Sequence, residues 1–359
     1  MRTYYTRACN FFYGLQARAL IKQKKCLPLN GLKNIGFNTI ELIQRKNRGK
    51  TKRKYFKISQ IKNLDKQIKK QIKKDLIQLT SKKKKILSLN FSEPSVMGIL
   101  NVTPDSFSDG GQYFNKIDAY KKALLMTKEG ASIIDIGGES TRPGSKEINS
   151  TKEWGRIGPV IKKIKKYRKK IILSIDTRKS LVMKNSIKQG ADIINDVSGF
   201  NFDKSSYKII CKKKPFIIIN HSQGKPSDMQ KNPKYNDVLL DIYDYFEEKI
   251  NFFSKRKFNK KNIILDPGIG FGKNLEHNLR LISKISLFHS LGCPLLLGTS
   301  RKSFIKHIVT KFDTNLRIGG TISSVIYGLS QGVQIFRVHD VKEAKQGILV
   351  YKNFLNIID

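Results

Sequence analysis

The sequence predicts a (β/α)₈ barrel that follows a basic N-terminal extension. From Ile86 onward, eight short runs of Ile, Val and Leu alternate with longer Lys-containing segments of helical character. Such runs indicate parallel strands covered by helices, and eight repeats in about 270 residues match the size of this barrel. Residues 1–90, in contrast, contain 25 Lys and Arg but three acidic residues. We therefore divide the chain into an extension, residues 1–85, and a barrel, residues 86–359.

The extension contains one segment with clear hydrophobic periodicity. Residues 1–60 show none, and we expect them to be irregular and partly disordered. In residues 61–79 apolar side chains recur at intervals of three and four, which predicts an amphipathic helix with a Lys-rich outer face. We expect this helix to pack on its own domain, with a membrane surface as the alternative. Lys82 to Lys85 are expected to form a solvated linker, and the barrel is expected to fold without residues 1–80.

The formal net charge of +42 suggests a polyanionic partner, either nucleic acid or an anionic membrane surface. Lys, Asn and Ile are abundant together, however, and all three have AT-rich codons, so codon drift would produce the same balance. Lys also outnumbers Arg, whereas bidentate recognition of phosphate favours Arg. We therefore favour drift, and keep contact of the extension with nucleic acid or a membrane as the alternative.

The four cysteines indicate a reducing compartment. Cys9, Cys26, Cys211 and Cys293 are scattered, which argues against a zinc site or a disulfide framework. No apolar run approaches the ~20 residues of a membrane span. Residues 1–40 lack acidic residues, as organelle transit segments do, but they also lack Ser and a clear Arg-rich helical face. We expect a cytoplasmic protein, with organellar import as the alternative.

The predicted strands all end in polar residues. The strands begin near Val96, Ser132, Ile171, Asp192, Phe216, Ile263, Pro294 and Ile335. The polar ends are Asn101, Asp135 with Glu139, Asp176, Asn195 with Asp196, His221, Asp266, Ser300 to Lys302, and Arg337 with His339. In a (β/α)₈ barrel these ends converge on the catalytic face, which predicts an active site there. An open doubly wound sheet is the alternative fold, but no Gly-x-Gly-x-x-Gly turn follows the first strand.

The residue types at these ends indicate the ligand. Carboxylates and an amide at Asp176, Asn195 and Asp266, with Lys302 nearby, suit a flat heterocycle that presents N–H donors beside a carbonyl; an ion-pair network is the alternative. The cationic residues suit an anionic, phosphate-bearing ligand: Arg142, Arg301, Lys302, Arg337 and His339. Asn101 suits Mg²⁺ whose other ligands are phosphate oxygens and water. Two long polar loops, residues 101–114 and 137–145, have the composition of loops that close over substrate.

Residues 96–111 (VMGILNVTPDSFSDGG) and 130–145 (GASIIDIGGESTRPGS) resemble the two signature segments of dihydropteroate synthases. The resemblance covers residues 86–350 and continues through six further segments: SIDTRK (from Ser174), GADIINDVSG (Gly190), HSQG (His221), LDPGIGFGK (Leu265), GTSRKSFI (Gly298) and RVHDV (Arg337). It implies a pterin-binding barrel that condenses (7,8-dihydropterin-6-yl)methyl diphosphate with p-aminobenzoate, releasing diphosphate and 7,8-dihydropteroate for folate synthesis. It also implies Mg²⁺, a homodimer and inhibition by sulfonamides.

The resemblance implies a role for each matched residue. Asn101 would bind Mg²⁺, and Asp176, Asn195, Asp266 and Lys302 would hold the pterin. Thr141, Arg301, Arg337 and His339 would lie at the diphosphate, with Arg142 on the same loop as Thr141. Pro143, Phe271 and Ser303 would frame p-aminobenzoate. Asp105 and Asp109 would organise the closed state of the first loop. The catalytic set would thus be Asp105, Asp109, Arg142, Lys302, Arg337 and His339.

Ser222 is a departure from the family pattern, which has Met there, and it removes an apolar contact near the pterin.

Two other functions are alternatives to the synthase activity. A pterin-binding methyltransferase would share the barrel and its aspartates, but it would not use the STRPGS loop or the cluster from Ser300 to Ser303. An RNA-binding protein on an inactive barrel would use the basic extension, but the intact polar face argues against it.

Overall fold

The computed structural model describes residues 2–46, 50–103, 116–140, 145–224, 229–309 and 314–356, and its larger part is the predicted barrel. The eight strands are β5 Ser95–Asn101, β6 Ile133–Gly137, β7 Ile172–Asp176, β8 Ile193–Asp196, β9 Phe216–Asn220, β10 Ile263–Asp266, β11 Leu296–Leu297 and β12 Ile335–Val338. All pair in parallel, in the order β10-β9-β8-β7-β6-β5-β12-β11. A bridge between Leu265 and Leu295 joins the two ends of this order and closes the sheet. The predicted fold class is confirmed.

Helices follow every barrel strand and cover its outer face. They are α3 Lys116–Lys128, α4 Ser150–Tyr167, α5 Ser180–Lys188, α6 Ser206–Lys213, α7 Val238–Lys255, α8 Leu275–Ser283, α9 Ser303–Val309, α10 Ile318–Ser330 and α11 Val341–Phe354. Within the described ranges, no helix is both long and apolar enough to cross a membrane.

The barrel interior is layered along its axis. One apolar side chain from each strand forms a buried layer inside the barrel: Met97, Ile133, Ile172, Ile193, Ile218, Ile264, Leu296 and Ile335. Residues two positions further along a strand point to the same side. On seven strands the inward row continues toward the carboxyl end with polar side chains: Asn101, Asp135, Asp176, Asn195, Asn220, Asp266 and Arg337. The apolar layer therefore closes the lower part of the barrel beneath the polar mouth.

The extension is a folded unit, so the expectation that residues 1–60 are irregular is wrong. Four antiparallel strands form a second sheet: β1 Tyr4–Tyr13, β2 Leu27–Pro28, β3 Ile35–Arg45 and β4 Thr51–Lys57, with helix α1 Gly14–Lys22 after β1. Strand β1 buries five consecutive residues, from Tyr5 to Cys9. Because both of its faces are covered, β1 lacks the apolar and polar alternation of a half-buried strand. The buried Arg7 is paired with Glu41 of β3 at 2.5 Å.

The predicted amphipathic helix is present as α2 Lys66–Thr80, after a 3₁₀ segment at Ile58–Asn63. Asp65 caps its first turn by accepting a hydrogen bond from the Gln67 amide at 2.9 Å. Ile72 and Leu79 are fully buried against the extension sheet, as the helical periodicity requires. The linker after α2 is not fully solvated, because Lys83 is buried and donates to the Gln78 carbonyl at 3.0 Å.

The extension packs directly on the barrel. Tyr5 of β1 and Ile43 of β3 are fully buried in the same apolar cluster as Tyr243 of α7 and Phe288 of the 3₁₀ segment Ile285–Leu291. The ring centroids of Tyr5 and Tyr243 are 5.1 Å apart in an edge-to-face arrangement. Because the two parts share a core, we no longer expect the barrel to fold normally without residues 1–80.

Candidate active site

The mouth of the barrel is centred on Arg337, which lies on β12 and points inward. Its Nε donates to Asp135 Oδ2 at 2.6 Å, and its Nη2 donates to Asp176 Oδ2 at 2.7 Å. Asn195 donates from Nδ2 to the same Asp135 oxygen at 3.1 Å. Strands β6, β7, β8 and β12 thus bring two carboxylates, one amide and one guanidinium into a single hydrogen-bonded cluster.

This cluster shifts the protonation of its members. Burial raises the pKa of Asp176 to about 7; Arg337 opposes the shift and the neighbouring Asp135 adds to it. Burial alone would lower the pKa of Arg337, but Asp135 and Asp176 hold it above its ordinary value. The guanidinium therefore stays charged, and Asp176 binds a proton more readily than an exposed aspartate does.

Asp266 ends β10 on the neighbouring arc of the mouth. Its Oδ1 accepts a hydrogen bond from the Gly268 amide at 2.8 Å, and its Oδ2 accepts one from Asn220 Nδ2 at 3.2 Å. Burial raises the pKa of Asp266, and Lys302 opposes this shift. Among the described residues, the Oδ1 atoms of Asn195 and Asn220 are buried without a hydrogen-bond partner. Buried acceptors normally have a donor, so these oxygens are positioned to accept hydrogen bonds from a ligand.

Lys302 and Phe271 lie together above Asp266. Lys302 Nζ donates to the Ile269 carbonyl and lies 4.3 Å from the centre of the Phe271 ring. Burial lowers the pKa of Lys302 to about 8, while Asp266 raises it. Lys302 and Phe271 thus bring an ammonium group and an aromatic face to one side of the mouth.

The remaining predicted cations are held by polar neighbours. Arg301 has a left-handed backbone, with φ of 55°, and its Nε donates to Asp340 Oδ2 at 2.9 Å. Nδ1 of His339 lies 3.0 Å from Ser300 Oγ. Ser303 is exposed at the start of α9, and Asn101 is half-buried at the end of β5. These side chains surround the central cluster at the ends of β5, β11 and β12.

Five predicted residues lie outside the described ranges: Asp105, Asp109, Thr141, Arg142 and Pro143. The stem of the second loop is described, however. Glu139 accepts hydrogen bonds from Arg178 Nε at 3.1 Å and from the Ile148 amide at 2.9 Å. Arg178 and its neighbour Lys179 belong to the SIDTRK segment, so that segment holds the stem in place.

Two site residues had been given no role in the predicted site, although Asp135 was among the polar strand ends. Asp135 is fully buried and joins Arg337 to Asn195; its signal was an acid inside an otherwise apolar strand. Lys273 is buried and donates to the Phe271 carbonyl at 2.8 Å and to the His221 carbonyl at 3.2 Å, and its Nζ lies 3.1 Å from His221 Nδ1. Burial, followed by the nearby Lys273, lowers the pKa of His221 well below its ordinary value, so His221 is neutral.

Comparison with known proteins identifies the class of this site. The model of the family described as pterin binding enzyme matches residues 97–339. Dihydropteroate synthase of Escherichia coli (strain K12) is 42% identical over 269 residues, which are 75% of this chain and 94% of that protein. The enzyme of Bacillus subtilis (strain 168) is 42% identical over 261 residues, covering 71% of this chain and 87% of its own.

Solved structures that resemble this chain belong to the same family of enzymes. Yersinia pestis dihydropteroate synthase, in complex with a sulfonamide drug, has a TM-score of 0.70 and 39% identity, covering 74% of this chain and 96% of its own. The Xanthomonas albilineans enzyme, in complex with 7,8-dihydropteroate, has a TM-score of 0.68 and 29% identity, covering 75% and 97%. The fold and the site thus define a pterin-binding enzyme. Within that class, the chain belongs to the dihydropteroate synthase family.

Proposed function

We infer that the chain is a transferase that condenses (7,8-dihydropterin-6-yl)methyl diphosphate with p-aminobenzoate, giving 7,8-dihydropteroate and diphosphate for folate synthesis. The observation that carries this inference is the hydrogen-bonded cluster of Asp135, Asp176, Asn195 and Arg337 at the barrel mouth, with Asp266 and Lys302 beside it. It lies within the residues that match the pterin-binding family.

We propose that the pterin lies between the central cluster and Asp266. A pterin presents adjacent N–H donors on one edge and a carbonyl oxygen beside them. Asp176 and Asp266 would accept hydrogen bonds from these donors, and the unpartnered Oδ1 of Asn195 would accept another. Lys302 would donate to the carbonyl oxygen. The apolar layer beneath the mouth would support the ring from below.

The diphosphate would lie beside the ring, on the side of Arg301, Arg337 and His339, with Thr141 and Arg142 contributing from the second loop. Within the described residues, no group of three or more His, Cys, Asp or Glu could hold a metal ion. The donor set nevertheless suits Mg²⁺. Asn101 offers a half-buried carboxamide oxygen at the mouth beside Gly137, and Mg²⁺ at such sites takes most of its ligands from phosphate and water. When bound, Mg²⁺ would neutralise charge on the diphosphate.

We place p-aminobenzoate against Phe271, with Ser303 at the carboxylate end, and Pro143, which lies outside the described residues, would help to frame it. The Phe271 ring is held by Lys302 on one face, and its carbonyl is held by Lys273. A sulfonamide presents the same aniline nitrogen and flat ring, so the same pocket would make the enzyme a sulfonamide target.

We propose that C–O cleavage precedes most C–N bonding. The bond between the methylene carbon and the diphosphate oxygen breaks, and its electron pair leaves with the diphosphate, whose negative charge Arg337 and His339 stabilise. The pterin ring delocalises the positive charge left on the methylene carbon. The aniline nitrogen then supplies the electron pair of the new C–N bond and loses a proton to water. Asp105 and Asp109 would help to order the first loop and exclude water until this attack.

The test is an assay of the purified full-length chain with both substrates and Mg²⁺, in which 7,8-dihydropteroate is separated and quantified. We expect product that depends on both substrates and on the divalent cation. Asn101→Ala should raise the Mg²⁺ concentration needed for half-maximal rate. Asp340→Ala provides a comparison on the same face, because it removes an ion-pair partner of Arg301 without removing a proposed ligand of Mg²⁺. Absence of product under these conditions would contradict the proposed function.

We also propose that the enzyme is a homodimer. Several large apolar side chains are exposed on the 3₁₀ segment before α10 and on α9 to α11: Ile308, Val309, Leu316, Tyr327, Leu349, Val350 and Phe354. The helices α10 and α11 pack side by side, so part of this set lies on one surface. Clustered exposed apolar side chains usually mark an interface. Light scattering should give twice the mass of the chain, and Val350→Asp should convert the dimer to monomer.

We propose a cytoplasmic location. All four cysteines are free thiols, and Cys9, Cys26 and Cys293 are buried. Unpaired cysteines are typical of reducing compartments. Fractionation of the source cells with an antibody against the chain would test this, and recovery in an oxidising compartment would contradict it.

A further inference from the structure

We propose that the N-terminal extension positions the p-aminobenzoate side of the active site, through the start of α7 and the loop before it. The positioning residues are Arg45 on the extension and Tyr235 on the barrel. The inference rests on the proposed placement of p-aminobenzoate against Phe271. The extension would thus have a role in substrate binding, in addition to contributing Tyr5 and Ile43 to the apolar cluster that it shares with the barrel.

The first link is a two-pronged ion pair between the extension and α7. Arg45, the last residue of β3, donates from Nη1 to Asp241 Oδ1 at 2.9 Å and from Nη2 to Asp244 Oδ2 at 2.9 Å. Its Nε donates to the Tyr5 hydroxyl at 3.2 Å, so all three sides of the guanidinium are held. Only 11% of the Arg45 side chain is exposed, which makes this contact far better shielded than a surface salt bridge.

The second link runs from α7 to the loop that precedes it. Asp241 uses its other oxygen, Oδ2, to accept hydrogen bonds from the Asn236 amide at 2.8 Å and the Asp237 amide at 3.2 Å. Asp237 in turn caps α7 by accepting from the Leu239 amide at 3.0 Å. The carboxylate that Arg45 holds therefore also fixes the last turn of the loop before α7.

The third link runs from this loop to the segment that follows β10. The Tyr235 hydroxyl donates to the Gly272 carbonyl at 2.8 Å. Gly272 has φ of +62°, and a Cβ there would lie 2.4 Å from the Gln223 carbonyl oxygen, so the two loops touch at backbone level. Gln223 also pairs with the backbone of Lys234, accepting from its amide and donating to its carbonyl, each at 2.9 Å.

The last link reaches the aromatic ring of the site. Phe271 immediately precedes Gly272. Lys273, which follows Gly272, contacts His221, the first residue after β9, and donates to the Phe271 carbonyl. These contacts hold the segment against the end of β9. Nζ of Lys273 thus lies within hydrogen-bond distance of three polar atoms of the two loops: the His221 carbonyl, the Phe271 carbonyl and His221 Nδ1. A displacement of Tyr235 would therefore move the Gly272 backbone and, with it, the Phe271 ring.

The experiment compares Arg45→Gln with the intact full-length chain by hydrogen exchange and by steady-state kinetics. We expect amide exchange in residues 229–237 and 267–273 to accelerate, and the KM for p-aminobenzoate to rise, each by about three- to tenfold, the usual size of coupling between sites. The KM for the pterin diphosphate should change by less than about twofold on the same scale. Arg45→Lys, which keeps the charge, should restore part of both effects.

The matched control is Tyr13→Phe, which removes another hydrogen bond of the same interface, from the Tyr13 hydroxyl to the Ser330 carbonyl at 3.0 Å. Among the described residues, the Tyr13 hydroxyl bonds to Ser330 of α10 and not to α7, so both readouts should stay at the level of the unmodified chain. Equal effects of Tyr13→Phe and Arg45→Gln would overturn the proposal, because any loosening of the interface would then suffice. Unchanged exchange in residues 267–273 of Arg45→Gln would also overturn it. Faster exchange with an unchanged KM for p-aminobenzoate would support the mechanical link and overturn the placement of p-aminobenzoate at Phe271.

Tyr235→Phe tests the same link from inside the barrel and leaves the interface intact, so it remains informative if Arg45→Gln fails to fold. It should raise the KM for p-aminobenzoate selectively. When both single variants fold, the double variant should be less impaired than the product of the two single effects. Independent, multiplicative effects would show that Arg45 and Tyr235 act separately, and would overturn the proposal.

Discussion

We expect Asp266→Asn to weaken binding of the pterin diphosphate strongly while leaving the stability of the folded protein almost unchanged. In the free protein Asp266 accepts two hydrogen bonds, from the Gly268 amide and from Asn220. The new side chain can keep its oxygen toward Gly268 and turn its NH₂ toward Asn220. Asn220 can then reverse its carboxamide, because its own oxygen has no partner among the described residues. Burial of the carboxylate raises its pKa, so removal of the charge also relieves a desolvation cost. We expect the Tm to change by less than about 2 °C, which for a chain of this length is roughly 1.5 kcal/mol.

The bound pterin cannot compensate for the substitution in this way. An N–H donor on its edge would lose a carboxylate acceptor and meet an amide, and a hydrogen bond to a charged group contributes about 1.5–3 kcal/mol. At about 1.4 kcal/mol per factor of ten, the affinity for the pterin diphosphate should fall by about 10- to 150-fold. Calorimetric titration of the purified variant would measure this loss, and differential scanning calorimetry of the same sample would measure the Tm.

Asp196→Asn is the matched control on the next strand but one. Asp196 is a fully buried aspartate whose Oδ2 accepts from the Phe200 amide at 3.1 Å and whose Oδ1 accepts from the Ser198 amide at 2.7 Å. An amide there must set a donor against a donor, so we expect a loss of about 1–3 kcal/mol, a Tm lower by about 1–4 °C, and unchanged pterin affinity. An Asp266→Asn protein that binds the pterin normally, or that loses stability as Asp196→Asn does, would refute the reasoning.

Four further outcomes are expected. Removal of residues 1–80 should leave an insoluble or strongly destabilised barrel, because Tyr243 and Phe288 lose their apolar cover; a soluble truncated protein with unchanged Tm would contradict this. The KM for the pterin diphosphate should rise above about pH 8, where Lys302 loses its proton, and Lys302→Gln should abolish that rise. Since Asp176 binds its proton more tightly when folded, stability of the free protein should fall as the pH rises from about 4 toward 7, and less so in Asp176→Asn; denaturant titration at several pH values would show it. Sulfonamide binding, measured by calorimetry, should strengthen when diphosphate and Mg²⁺ are present, since the closing loops complete the pocket; equal affinity in both conditions would contradict the ordered scheme.

The barrel and most of its mouth were predictable because they depend on local pattern. Apolar runs ending at Asp176, Asn195 and Asp266 place these side chains on the inward row of β7, β8 and β10, whatever the sequences of the helices. The contacts between elements were not predictable in this way. Nothing near Lys273 in the sequence indicates that its Nζ contacts His221, which lies 52 residues earlier in the chain.

The extension escaped prediction for a related reason. Its strands β1 and β3 contain runs of consecutive buried residues, and the buried polar side chains in β1 are satisfied by partners distant in the chain. Arg7 of β1 pairs with Glu41, and Tyr5 donates to Asp244 at 2.7 Å. Hydrophobic periodicity identifies a strand that has one face exposed to solvent. A strand that is covered on both faces and contains buried ion pairs lacks this alternation, so its sequence resembles an irregular polar segment.

The shared core also sets an order of events during synthesis. Arg2 lies against Tyr243 and Glu247, so the first strand of the chain meets these partners only after roughly 240 further residues have been made. At about 5–20 residues per second, a nascent chain waits about 12–48 seconds before α7 leaves the ribosome. During that interval the apolar side of β1 and β3 is uncovered. The strands of the extension are therefore made well before the helix that covers them.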